Sequence, residues 1–203
     1  MSVRLISLMV VLSTAACEPP LPARGLPPLQ TQRRPAVAPN LRVLWFPGEK
    51  LVWQVHSKTM QVGTAVLATQ GTPPRVRSQF LPERWLRAVR ALHHDLVTSG
   101  QPVRDVHTLH SLLGWLRAWS HPDNRPALVQ ARFGKQRYRV EVSTPSLEAG
   151  DYGRLRVELI AHANDDERIE ASLWLTNDSK RSPVRIDIRL GARRITATLI
   201  TDR

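Results

Sequence analysis

Five of the seven histidines fall between residues 93 and 121: His93, His94, His107, His110 and His121. His107 and His110 are three apart, a spacing that puts both on one face of a helix. With Asp105 or Asp95 nearby, they offer the donor types of a divalent-metal site. The stretch lacks the His-Glu-x-x-His spacing of a zinc protease, and nothing specifies a second ligand pair, so solvated histidines are the favoured reading. Ser111, His110 and Asp105 supply the three residue types of a hydrolytic triad, but neighbours on a helix make no nucleophile elbow, and there is no Gly-x-Ser-x-Gly. Any two carboxylates could meet in space, yet no spacing selects a glycosidase pair. The chain has no phosphate-cradling glycine loop and no Cys-x-x-Cys. The expectation is a non-enzymatic chain with no catalytic residue, no metal and no cofactor.

The six tryptophans are a different kind of candidate. Trp85, Trp115 and Trp119 sit at helical spacing, where large aromatics can line an apolar cavity for an acyl chain. These three are the candidate ligand-binding residues. The competing reading is plain core, which aromatics at such spacing fill more often than they line cavities. Trp174 stands on the polar side of its strand, with Glu170 and Ser172.

The single cysteine closes a short apolar run, Leu5–Ala16, that follows Arg4. A basic start, an apolar middle too short to span a bilayer, and small residues before the cysteine follow the plan of a secretory signal. Thr14-Ala15-Ala16-Cys17 resembles the lipobox of bacterial lipoproteins, with Thr14 where an aliphatic residue is usual. Cys17 has no possible intrachain disulfide partner, so lipidation is its expected role. The alternative is ordinary cleavage after Ala15 or Ala16 and a secreted periplasmic form. Glu18, rather than Asp, points to the outer membrane. Residues 1–16 are therefore read as a lipoprotein-type signal peptide. Residues 17–40, crowded with proline, read as a lipidated flexible tether. Residues 41–203 are the size of one domain.

The chain carries 29 Lys and Arg against 17 Asp and Glu, a formal +12. Setting aside Arg4, Arg24, Arg33, Arg34 and Glu18 leaves 25 basic and 16 acidic residues, net +9, on residues 41–203. A basic surface favours anionic partners, and for an exported chain envelope polymers or membranes rank above nucleic acid. The plainer reading is compositional, since Arg greatly outnumbers Lys.

Period-two alternation dominates the domain. Leu51, Trp53 and Val55 share one side of a strand, and Gln61–Thr69 is apolar on both sides around Gly63. The same pattern recurs over Arg137–Val142, Arg154–Ile160, Ile169–Leu175, Val184–Leu190 and Arg194–Ile200. Turn signals separate them at Gly134-Lys135, Asn164-Asp165-Asp166, Asn177-Asp178-Ser179 and Gly191-Ala192. Two stretches break the period. Trp85, Val89, Leu92 and Leu96 predict a helix after Pro82. A second runs from Asp105 as N-cap through Leu109, Leu112, Leu113, Leu116 and Trp119. The expected fold is mainly β (α+β): a curved antiparallel sheet or half-barrel of about 7–9 strands, with two helices packed on one face.

Three stretches resemble a bacterial envelope family, domain of unknown function 3108. They are Phe46-Pro47-Gly48-Glu49-Lys50-Leu51-Val52-Trp53 with Val62-Gly63-Thr64-Ala65, then Ala149–Val157, then Trp174–Ile186 with its Trp-x-x-x-Asp-x-x-x-x-Pro pattern. The resemblance spans about residues 46–200 and implies a β-rich fold in the envelope, with no activity attached. In it Asp178 caps a turn and Pro183 starts an edge strand.

Together these readings give a non-enzymatic envelope lipoprotein, facing the periplasm from the outer membrane. It is expected to bind a lipid or other apolar ligand between sheet and helices. The alternative is a scaffold that docks an envelope protein or anionic polymer through a basic surface at Arg84, Arg87 and Arg90.

Overall fold

The computed structural model describes residues 36–37, 42–86, 94–149, 153–163 and 168–202. Cys17, the signal, nearly all of the tether and the turn at Asn164-Asp165-Asp166 lie outside them.

The strands are β1 (Ala36–Val37), β2 (Lys50–Ser57), β3 (Met60–Gln70), β4 (Arg75–Pro82), β5 (His94–Ser99), β6 (Val106–His107) and β7 (Ala127–Phe133). They continue as β8 (Gln136–Val142), β9 (Ser146–Glu148), β10 (Arg154–Ala163), β11 (Arg168–Thr176), β12 (Pro183–Leu190) and β13 (Arg193–Asp202). One helix, α1 (Leu109–Trp119), and a 3-10 turn at Arg84–Leu86 complete the described elements. All the strands join one sheet in the order β1-β7-β8-β10-β11-β12-β13-β2-β3-β4-β5, with β6 beside β7 and β9 beside β10. Neighbours pair antiparallel except where β1 and β6 meet β7. The sheet curves so that α1 packs against both β5 and β7, near its two ends.

The mainly β expectation holds, but two details are corrected. The sheet has thirteen strands rather than 7–9. Only one of the two expected helices appears among the described residues. Of the other, Arg84–Leu86 is a 3-10 turn and Leu96 lies on β5, while Val89 and Leu92 lie outside the described residues. Leu96 and Thr98 alternate with Asp95, Val97 and Ser99 there, so pairing with β4 from Phe80↔His94 to Arg75↔Ser99 overrides the helical spacing.

The second helix starts later than expected. Thr108, not Asp105, is its N-cap: the Thr108 hydroxyl accepts from the Ser111 amide at 3.1 Å, and Ser111 Oγ accepts from the Thr108 amide at 2.8 Å. This reciprocal cap leaves Asp105 outside, in a left-handed conformation with φ of 60°. The helix buries Leu112, Trp115 and Leu116 against Ala127, Val129 and Ala131 of β7, Tyr138, Val140 and Val142 of β8, and Leu155 and Val157 of β10. That is the densest part of the core. Side chains of 0–7 % exposure there remove most of their apolar area from water, each worth roughly 1.5–3 kcal/mol for the larger residues.

The segment 42–49 crosses α1 as a strap. Leu44 donates its amide to the Gly114 carbonyl at 2.9 Å, and Trp45 lies in a seat made by two glycines. A Cβ on Gly114 would meet Trp45 Nε1 at 2.5 Å, and one on Gly100 would meet Trp45 Cδ1 at 2.9 Å. The register places the strap, the 71–74 turn, the 143–145 connection and the 177–182 turn at one end of the sheet. The turns at 58–59, 134–135 and 191–192 and the Arg84–Leu86 turn lie at the opposite, far end.

Candidate functional site

The inner face of the sheet is filled unevenly. Under α1, core-facing residues of β7, β8 and β10 are buried: Val129, Ala131, Tyr138, Val140, Leu155 and Val157 are all at 6 % exposure or less. Across the sheet the same inward parity gives a mixture. Ile169, Leu173 and Leu175 of β11 and Leu67 of β3 are at 8 % exposure or less, while Ala171, Ile186, Ile188, Ile195, Ala197, Leu199 and Ala65 are partly buried and pack against the buried clusters. Register makes the partly buried residues one continuous tract. Ala171 stands opposite Ile188, Ile188 opposite Ile195, and Ile186 opposite Ala197; Leu199 stands opposite Trp53, and Trp53 opposite Ala65. Three of these seven residues, Ala65, Ala171 and Ala197, are alanines. Phe80, Val55 and Val62 close its side, and Gly63 lets Phe80 lie flat against β3, since a Cβ there would stand 2.6 Å from the ring. The tract is an apolar strip along the concave side of the curved sheet, a trough in that sense, and it reaches the far end at Ile195.

Polar side chains fix the helix that walls this trough. His110 is 1 % exposed and bridges two strands: Nε2 lies 2.9 Å from Ser78 Oγ on β4, and Nδ1 lies 2.7 Å from Thr98 Oγ1 on β5. Each ring nitrogen thus has a hydroxyl partner, and the tautomer decides which of the two donates. A serine hydrogen-bonded to a histidine has the first two parts of a nucleophilic relay. Here the third group is a hydroxyl, which cannot stabilise an imidazolium as a carboxylate does. The arrangement satisfies a buried ring and pins α1 to β4 and β5. Ser111, named above as a triad member, turns instead to Thr108.

At the strap end, Arg117 and Glu49 are paired with side-chain exposures of 0 % and 3 %. Both guanidinium ends are used, at 2.8 and 2.7 Å, and Arg117 also donates to the Lys180 carbonyl at 2.8 Å. The Trp45 and Phe46 rings lie 5.2 and 5.5 Å from its carbon. Thus the helix, the strap and the β11–β12 turn meet on one cation. Asp178 shapes that turn, accepting at Oδ1 from Thr176, Lys180 and Arg181 at 2.7–3.0 Å. Desolvation pushes its carboxyl up, but these hydrogen bonds outweigh it and hold the group below its ordinary value.

His107 has no such partners. It is 0 % exposed, both ring nitrogens lack a hydrogen-bond partner, and it tilts against Trp115 with centroids 5.6 Å apart. Burial lowers its pKa, because charging an imidazole there would strip it of water. Among the described residues, no three His, Cys, Asp or Glu side chains gather to hold a metal. His107 faces Trp115, His110 faces β4 and β5, and His121 lies on the surface 3.4 Å from Asp123; His93 is outside the described residues.

The three tryptophans proposed as ligand-binding do not form one group. Trp115, at 0 % exposure, stacks on Trp119 at 5.1 Å and belongs to the filled core. Trp85 is 58 % exposed at the far end, close to the trough's rim. Sequence reasoning missed the residues that line the trough, because small and aliphatic side chains at strand spacing look like any sheet interior. Trp174 is half-buried on the outer face, between the guanidinium groups of Arg156 and Arg185 at 5.2 and 5.0 Å, and donates to Glu148 at 2.8 Å.

No family model matches this chain, and no curated protein matches it.

Proposed function

We propose that this chain is a non-enzymatic envelope lipoprotein, anchored at Cys17, whose trough holds a lipid acyl chain or a similar apolar ligand. The observation that carries this reading is the partly buried tract Ala171–Ile188–Ile195 and Leu199–Ala65, which faces the interior of the sheet beside the buried clusters. Apolar side chains that fold inward without being covered favour an apolar guest, since burying them recovers roughly 25 cal/mol per Å2. The three stretches similar to domain of unknown function 3108 support a place in the cell envelope, and the basic composition supports anionic surroundings there. The alternative, a scaffold docking through Arg84, Arg87 and Arg90, has less behind it. Arg84 lies on a 3-10 turn rather than on a helix face, and Arg87 and Arg90 fall outside the described residues.

Binding of a fluorescent fatty acid tests the reading. The native chain is expected to saturate with a bright, blue-shifted probe. Ala197→Phe, which fills the middle of the trough, is expected to weaken binding at least about tenfold. Equal binding by both chains, or no saturable binding, would remove the trough as the site.

A further inference from the structure

At the far end, three adjacent pieces of chain bring exposed apolar and basic side chains together. In strand order β13-β2-β3-β4 these are the β12–β13 turn with Arg193, the β2–β3 turn with Lys58, and the Arg84–Leu86 turn that follows β4. Ile195 is in register with Ser57, Ser57 with Met60, and the Glu83 amide donates to the Val62 carbonyl at 3.0 Å. Lys58, Arg84 and Arg193 are all exposed. Between them Met60 and Trp85 are 59 % and 58 % exposed, among the most exposed large apolar side chains of the described residues. Of the nearby described acids, Asp187 is paired with Arg185 and Arg194 at 2.9 and 2.5 Å, while Glu83 accepts from the neutral Gln61 amide at 2.5 Å and offsets one of the three cations.

We propose that this sector is a docking surface for an anionic lipid bilayer. Met60 and Trp85 enter the headgroup region while Lys58, Arg84 and Arg193 pair with lipid phosphates. A tryptophan beside arginine suits that boundary, since its ring is apolar and its N–H remains wet. A thioether adapts to irregular packing, and guanidinium groups bind phosphate with two parallel hydrogen bonds. A soluble anionic polymer would use the cations but gain nothing from two exposed apolar side chains, which is why a lipid surface is the better fit. The proposal deepens the acyl-chain reading, because docking here sets the open end of the trough against the source of its ligand. The chain enters at the other end, where β1 pairs with Ala127 and Leu128. The docking face is therefore turned away from the point where the tether joins.

The test uses the full chain with Cys17→Ser and one new cysteine carrying an environment-sensitive dye. The dye sits either at Thr59→Cys in the docking sector or at Leu147→Cys, which is 57 % exposed near the strap end. Vesicles of phosphatidylglycerol with phosphatidylcholine are expected to blue-shift the dye at position 59. Pure phosphatidylcholine is not, and about 0.5 M salt is expected to abolish most of the shift. Lys58→Glu, Arg84→Glu and Arg193→Glu together are expected to weaken vesicle binding on the order of a hundredfold. Met60→Ser with Trp85→Ser is expected to reduce the shift while leaving the salt dependence. The proposal fails if the dye at position 59 ignores anionic vesicles, or if position 147 responds equally. It also fails if dextran sulfate alone reproduces the shift. Fatty-acid binding measured on the same proteins stands apart, so the trough can survive the loss of the docking surface, or the reverse.

Discussion

Glu49 and Arg117, 68 positions apart, form a two-bonded ion pair at 2.7 and 2.8 Å with almost no exposure to water. The pair ties the strap to the C-terminal half of α1, so whatever breaks it frees the wall of the trough. Glu49→Leu or Arg117→Met alone is expected to cost about 3–5 kcal/mol, since each leaves a buried partner uncompensated. The double variant Glu49→Leu/Arg117→Met is expected to recover much of that loss. Urea unfolding followed by tryptophan fluorescence measures all four proteins, and a double variant as unstable as the sum of the singles would refute the pairing.

Gly114 is read as the seat of Trp45. Gly114→Ala would put a methyl group 2.5 Å from the indole nitrogen, so the strap must lift. The expected cost is about 1–3 kcal/mol, as for other overpacked sites. Near-ultraviolet circular dichroism should lose part of its tryptophan signal. An unchanged spectrum with unchanged stability would show that Trp45 sits elsewhere.

Much of the sheet was legible because its strands alternate cleanly. Arg154–Ile160 and Val184–Leu190 put aliphatics on one side and charge on the other, and both are strands within β10 and β12. β4 was missed because Ser78 occupies an inward position, and its reason for being polar is His110, 32 positions away. β7 was missed because its inward residues at Ala127 and Ala131 are small, which gives room to α1 but weakens the apolar signal. Leu96 continued the helical spacing of Trp85, Val89 and Leu92, yet it lies on β5, where pairing with β4 decided the outcome. The buried pair of Glu49 and Arg117 left no local trace at all, since two charged residues in sequence are normally solvated.

Ser78→Ala is expected to destabilise the protein by about 1–3 kcal/mol, by removing the hydroxyl that hydrogen-bonds buried His110 Nε2. Ester-hydrolysing activity is expected to be absent from both native and variant chains. A loss of hydrolysis on this substitution would turn the hydrogen-bonded pair into a catalytic one.

His107 sets a pH dependence of known sign. Its folded pKa lies below the ordinary value of about 6.5, so the unfolded chain binds protons more readily. Stability is therefore retained above that value and declines as pH falls below it, towards the folded pKa. Asp178 and Asp187 have lowered pKa values, so their contributions are lost only in the lower range where carboxylates protonate. For Asp187, desolvation opposes the shift, and hydrogen bonds from Arg185, Arg194 and Thr196 overcome it. His107→Phe keeps the packing on Trp115 without a titrating group. Melting curves between about pH 5 and 7.5 are expected to flatten for the variant, and an identical slope would exclude His107.

The central claim is that the trough between α1 and strands β11, β12, β13 and β3 holds an apolar guest. Native mass spectrometry of the full chain, extracted gently from the membranes of the producing cells, tests it most directly. A discrete population of masses above that of the acylated chain, removed by organic extraction and identified as lipid, is expected. Ala197→Phe is expected to lack that population while remaining folded. A single ligand-free mass for the native chain, from a folded protein with no saturable fatty-acid binding, would contradict it.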